Sequence, residues 1–285
     1  MQRHIQAGAA ALVAQVGINA LRQQLAHGGG VVGLDGAEEE RYRSELLLAN
    51  RSRDKAEKIA TEVGGQLVSN AEVFTQAEVI FLGIKPAQFA DLLAEYQEVL
   101  EKRESLLLVS MAAGLPLELL EKLTSSHHRW IRIMPNTPVA VGDGVITYTL
   151  SQQANQADED LLQELLSSAG LLVKLDEKQL DAATALAGCG PAFVYLFIEA
   201  LADAGVRAGL NRDISLELAN QTLLGAAKLS QVSGQHPAQL KDQVCSPAGS
   251  TIAGVASLEE NAFRGTVMDA VQAAYLRTLE LGKKS

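Results

Sequence analysis

The residues best suited to chemistry lie in Val244-Cys245-Ser246-Pro247-Ala248-Gly249-Ser250-Thr251-Ile252-Ala253-Gly254. A bend-forming Ser-Pro-Ala-Gly run ends there, and two hydroxyl residues open a new apolar helical pattern. The first turn of a helix carries backbone N–H groups without intrahelical partners, and the helix dipole adds positive potential. Such a turn can hold a small carboxylate by main-chain donors, with Ser250 and Thr251 adding directional hydroxyls. Taken alone, the segment reads first as an ordinary N-capped turn.

A second group of residues sits where apolar strands end. Glu45–Ala49, Glu78–Ile84, Ser105–Ser110 and Trp130–Met134 are short apolar runs separated by helical patterns. Continuous apolar strands alternating with helices predict a parallel sheet covered on both faces. Ligands of such sheets bind beyond the carboxyl ends of the strands. Those ends carry Asn50-Arg51-Ser52, Gly83-Ile84-Lys85-Pro86, Met111-Ala112-Ala113-Gly114 and Pro135-Asn136-Thr137-Pro138, all polar, small or proline-stiffened. Arg51 follows the strand where an acid would bond a ribose 2′-hydroxyl. An arginine with small polar neighbours suits a 2′-phosphate instead, the alternative being a basic surface turn.

The elements that must position these groups fall into two blocks. The first block, residues 1–176, alternates strand and helix from Glu45 onward, and residues 177–285 are nearly all helical. The expected fold class is therefore α/β, a dinucleotide-binding domain followed by an all-α domain. Phe193, Phe197, Ile198 and Leu201 recur at helical spacing and exceed what one small helical domain needs to bury, so a homodimer through these helices is expected.

The chain has 285 residues, is 47% hydrophobic and carries a net charge of −10. That acidity argues against nucleic acid and anionic membrane as partners. The apolar run from Ala182 to Ile198 is interrupted by Gly188-Cys189-Gly190-Pro191, which reads as buried helices rather than a span. Cys189 and Cys245 are far apart and lack metal-ligand spacing, so a reduced cytoplasmic protein without metal is expected. No basic stretch followed by an apolar one opens the chain, so no secretory leader is expected. His127 and His128 lie in a polar connector and read as surface residues.

These motifs together resemble pyrroline-5-carboxylate reductase. The resemblance runs from about Glu45 to the C-terminus and rests on Ala49-Asn50-Arg51-Ser52, Gly83-Ile84-Lys85-Pro86, Ala112-Ala113-Gly114, Ile133-Met134-Pro135-Asn136-Thr137-Pro138, Ala187-Gly188-Cys189-Gly190-Pro191-Ala192-Phe193, His236-Pro237 and Lys241 to Ile252. It implies a Rossmann-like N-terminal domain, a helical dimerisation domain and hydride transfer from NADPH, with NADH as the alternative donor, to Δ1-pyrroline-5-carboxylate, giving L-proline. It implies that Thr251 lies beside the pyrroline nitrogen and that Ala248, Gly249 and Ser250 cradle the substrate carboxylate, with Gln243 and Glu177 lining that pocket. It also implies that Asn50, Arg51, Ser52 and Asn70 meet the adenosine and 2′-phosphate end of the cofactor, and that Gly83, Ile84, Lys85, Pro86, Met111, Ala112 and Ala113 follow its pyrophosphate and nicotinamide. Ala248, Ser250 and Cys189 depart from the family's usual Gly, Thr and Ser, and all three remain small.

The N-terminus departs further. The family opens with a strand running into a glycine loop and a helix, whereas the first strand and glycine loop are atypical here. Gly28-Gly29-Gly30-Val31-Val32-Gly33 fits G-x-G-x-x-G in letters. The polar helical pattern before it and the short stretch after it do not fit a strand–turn–helix. Two other readings therefore stand beside the reductase. One is a catalytically weak paralogue with impaired cofactor binding. The other is a β-hydroxyacid dehydrogenase-like enzyme, for which Lys228 is the candidate acid.

Overall fold

The computed structural model describes residues 30–35 (as backbone), 45–50, 57, 59–61, 65–125 and 127–282. The chain divides into two compact units, one of residues 1–188 with 275–285 and one of residues 189–274.

The first unit is built on an eight-stranded sheet. Its strands are β1 (Gly30–Asp35), β2 (Glu45–Ala49), β3 (Gln66–Leu67), β4 (Val79–Gly83), β5 (Leu107–Ser110), β6 (Arg129–Pro135), β7 (Gly144–Leu150) and β8 (Gly170–Lys174), in the order β3-β2-β1-β4-β5-β6-β7-β8. Between them run α1 (Asn70–Gln76), α2 (Phe89–Glu95), α3 (Gln97–Lys102), α4 (Leu117–Lys122) and α5 (Gln156–Leu166). A short α6 (Leu180–Ala183) follows, continued by a π-helical turn over Thr184–Gly188.

The expected parallel pairing is found for β2–β3, for β4–β5–β6 and for β7–β8, but β1 and the β7–β8 pair run the other way. Strand β7 runs antiparallel to β6, with Arg132 opposite Thr149 and Met134 opposite Thr147. Strand β1 runs antiparallel to both neighbours, pairing Val31 with Ala49 and Gly30 with Gly83. Because both flanking pairings are antiparallel, β2 and β4 still point the same way. The carboxyl ends of β3, β2, β4, β5 and β6 therefore share one edge, and β1 enters there instead of leaving.

The sheet buries apolar residues on both faces because its central strands are apolar at consecutive positions. Val79, Phe81, Leu107, Val109, Ile131 and Ile133 face one core; Ile80, Leu82, Leu108 and Trp130 face the other. Each such side chain withdrawn from water contributes about 1.5–3 kcal/mol. Residues 89–102 form two helices rather than one, because the backbone at Tyr96 leaves the helical region at φ −108° and ψ 16°.

His128 is a correction: it is 1% exposed, not on the surface. The Leu106 N–H donates to its Nδ1 at 3.2 Å, which makes Nε2 the protonated nitrogen, bonded to the Leu100 carbonyl at 3.1 Å. Burial, together with the neighbouring His127, Arg103 and Arg129, pulls its pKa down from 6.5 to about 4. His128 is thus a neutral structural residue. The His127 ring lies tilted against it, with ring centroids 4.3 Å apart and 56° between the planes.

The second unit is helical. It comprises α7 (Gly190–Arg207), α8 (Arg212–Ser233), α9 (Pro237–Val244), α10 (Ser250–Glu260) and the first part of α11 (Phe263–Gly282). Pro191 sits in the first turn of α7, where its missing N–H costs nothing. Asn211 caps α8 by accepting from the Ile214 N–H at 2.9 Å. Large apolar side chains remain exposed on these helices, among them Tyr195, Leu196, Leu224, Leu229 and Met268. Such a density of exposed apolar side chains marks an association surface.

Candidate functional site

The helical unit presents the loop singled out in the sequence. Helix α9 ends at Val244, and Cys245 turns the chain into extended backbone. The Gly249 N–H then donates to the Ser246 carbonyl at 3.0 Å, closing a tight turn. Ala248 adopts φ 58°, the left-handed region that favours glycine. Gly249 has no room for a side chain, since a Cβ there would lie 2.3 Å from Ser246 Oγ.

Gly249 is the N-cap of α10 and supplies no side-chain acceptor. Ser250, Thr251 and Ile252 fill the first turn, and the first closing bond runs from the Ala253 N–H to the Gly249 carbonyl at 3.4 Å. The ordinary capped turn would use a side-chain oxygen on these donors; here none does. Both Ser250 and Thr251 are exposed, and their hydroxyls have no hydrogen-bond partner among the described residues. The arrangement offers main-chain N–H groups, a positive helix end and two free hydroxyls to a small anion. It differs from the expected cradle in one respect: the Gly249 N–H is spent inside the turn. Gln243 lies on α9 and donates through Nε2 to Gln235 Oε1 at 2.8 Å. Ser246, read in the sequence only as the first residue of the bend, closes that bend through its carbonyl.

The sheet unit brings a second set of residues to its carboxyl edge. Asn50 follows β2 and is half-buried, and Asn70 begins α1 just after β3. Ser69 caps that helix through a reciprocal pair with Glu72, which lowers the Glu72 pKa. Gly83 ends β4, and Ile84, Lys85 and Pro86 turn outward with Lys85 exposed. Met111, Ala112 and Ala113 follow β5; the Ala112 N–H is held by Ser110 Oγ at 3.2 Å. Gly114 adopts φ 77°, and a Cβ there would meet the Gly282 Cα of α11 at 2.9 Å, so backbone packs directly on backbone. Arg51 and Ser52 lie outside the described residues.

Glu177 is engaged within the sheet unit. Its Oε1 accepts from the Leu117 N–H at 2.6 Å, at the start of α4, and from Arg132 Nη1 at 2.5 Å. Asn136, at the end of β6, donates through Nδ2 to the Ala187 carbonyl and accepts from the Val145 N–H. Lys228, the acid of the hydroxyacid reading, is exposed on α8. Among the described residues no cluster of His, Cys, Asp or Glu is arranged to hold a metal.

A dinucleotide fits part of this edge. The small, backbone-exposing ends of β4 and β5 suit an extended cofactor laid across the strand termini. The G-x-G-x-x-G letters do not supply the rest, because Gly30 and Gly33 lie inside strand β1 and not in a turn before a helix.

A family model for pyrroline-5-carboxylate reductase dimerisation matches residues 177–281, and one for coenzyme F420-dependent NADP oxidoreductase matches residues 16–114. The pyrroline-5-carboxylate reductase of Pisum sativum is 48% identical over 215 residues, spanning 75% of this chain and 78% of its own. The solved Plasmodium falciparum pyrroline carboxylate reductase with NADP bound is 38% identical, with a TM-score of 0.70 over 76% of this chain and 82% of that one. The pyrroline-5-carboxylate reductase structure from Coxiella burnetii is 29% identical, with a TM-score of 0.78 over 92% and 93% of the two chains. The chain belongs to the pyrroline-5-carboxylate reductase family.

Proposed function

We propose that the protein reduces Δ1-pyrroline-5-carboxylate to L-proline, the last step of proline synthesis, as an NADPH-dependent homodimer of the cytoplasm. The observation that carries this reading is the start of α10, where an uncapped first turn and two free hydroxyls meet at Ser250 and Thr251. The reduced nicotinamide supplies a hydride when bound. The chain's own work is to hold the acceptor. The first-turn N–H groups of Ser250 and Thr251 bind the substrate carboxylate, with the positive end of α10 behind them. The Thr251 hydroxyl oxygen accepts from the protonated ring N–H, keeping the C=N bond charged and fixed in orientation. No general acid or nucleophile is needed, because the iminium is already electrophilic.

Gln243 and the turn residues Ala248 and Gly249 shape the pocket. Glu177 serves this reading as a positioning residue that orders Arg132 and the start of α4. The ends of β2, β4 and β5, with Asn70, hold the cofactor. Two free cysteines fit a reducing compartment, and the exposed apolar faces of α7 and α8 fit the homodimer.

The deciding experiment is NADPH consumption by the purified protein with Δ1-pyrroline-5-carboxylate and with a panel of β-hydroxyacids and NADP. Turnover of the imine with proline as product supports the reading. Turnover confined to a hydroxyacid would transfer it to the dehydrogenase class.

A further inference from the structure

The central strand of the sheet points the wrong way for a dinucleotide. In a doubly wound fold, the first strand leaves the carboxyl edge through a glycine turn into a helix, whose N-terminal N–H groups take the cofactor's diphosphate. Here the central slot, between β2 and β4, is filled by β1 running antiparallel to both. Gly30 is level with Gly83 at the carboxyl edge, and Asp35 is level with Glu45 at the amino edge. The chain leaving β1 therefore departs from the edge opposite the strand-end loops.

We infer that, among the described residues, the dinucleotide is held by Asn70 and the ends of β2, β4, β5 and β6, without a diphosphate cradle from β1, and is therefore bound weakly. The inference rests on the reductase reading for the identity of the nucleotide. Its physical content is separate: the diphosphate lacks the hydrogen bonds and helix dipole that a turn leaving β1 at this edge would give it. Losing two such bonds weakens binding by about a hundredfold or more relative to a low-micromolar site.

Two measurements test it, neither depending on turnover. The first is titration of the purified protein with NADPH, followed by nucleotide fluorescence. A dissociation constant about a hundredfold above low micromolar supports the inference, and low-micromolar binding overturns it. The second reads the strand direction by disulfide formation between cysteine pairs. Register partners in an antiparallel pair lie about 4.5–5.5 Å apart at Cα, within disulfide reach. Gly30→Cys with Gly83→Cys should therefore cross-link, while Gly30→Cys with Val79→Cys, about 14 Å apart along the strand, should not. Cross-linking of the second pair in place of the first overturns the inference. If glycine replacement unfolds the sheet, Leu34→Cys with Val79→Cys against Leu34→Cys with Gly83→Cys asks the same question. Thermal-shift titration with L-proline probes the α10 loop independently. Proline binding with weak NADPH binding leaves the reductase reading standing; tight NADPH binding with imine turnover overturns only the inference.

Discussion

Arg132 on β6 points its Nη1 at Glu177 Oε1, 2.5 Å away, with the arginine side chain 5% exposed and the glutamate 35%. The same oxygen accepts from the Leu117 N–H, so one carboxylate neutralises a buried cation and finishes the open end of α4. Arg132 Nε is buried and has no hydrogen-bond partner among the described residues, so the guanidinium depends heavily on this pairing. Glu177→Gln keeps the shape and removes the charge. It should destabilise the protein by about 2–4 kcal/mol, at the lower end because water reaches the glutamate. Chemical denaturation measures this. Pairing Glu177→Leu with Arg132→Met should recover part of the loss, and an additive double variant would show that the two residues do not interact.

His128 makes stability pH-dependent. Its folded pKa, about 4, lies below the unfolded value of 6.5, so the unfolded chain binds the extra proton between them. The contribution is fully present above pH 6.5 and is lost as pH falls toward 4, to a limit of about 3 kcal/mol. His128→Gln should flatten the stability profile across that window, as measured by denaturation at fixed pH steps. An unchanged slope would place the titrating group elsewhere.

Thr251→Ala removes the hydroxyl assigned to the ring nitrogen while leaving the α10 backbone intact. The turnover rate should fall about ten- to a thousandfold with the fold unaffected. Steady-state kinetics at saturating NADPH check this, and wild-type turnover would remove Thr251 from the mechanism.

Ala248 carries a side chain at φ 58°. Ala248→Gly relieves that strain, and because glycine also loosens the unfolded chain the net gain should be about 0.5–1 kcal/mol. Gly249→Ala should act the other way. Its Cβ would lie 2.3 Å from Ser246 Oγ, forcing the turn open and raising the substrate KM with the cofactor KM unchanged. Parallel KM measurements separate the two, and an equal rise in both would point to general unfolding.

Leu196 on α7 is 65% exposed in a single chain. Leu196→Lys should weaken the homodimer by about a hundredfold through lost apolar burial and an unpaired charge. Light scattering across a concentration series reads the shift from dimer to monomer mass.

The sequence disclosed what local chemistry decides. Strands β4, β5 and β6 were legible because they are apolar at consecutive positions, and α10 because Gly249-Ser250-Thr251 marks a helix start. What escaped depends on partners distant in sequence. Ser125, Ser126 and His127 make the neighbourhood of His128 look wet, yet Leu100 and Leu106 enclose its ring. The Arg132–Glu177 pair joins residues 45 apart, so the pocket expectation for Glu177 saw the carboxylate without its cation. The direction of β7, like that of β1, is set by which edge is free to pair, and residue pattern carries no record of it.

Strand β1 has one more consequence, for solubility. In the strand order it alone connects β2–β3 with β4–β8. Should that pairing open, β4 becomes a sheet edge reading Val-Ile-Phe-Leu-Gly, with no charge or proline to deter a second chain. Aggregation of this protein, on heating or during synthesis, should therefore begin by strand addition at β4, long before the helical unit melts.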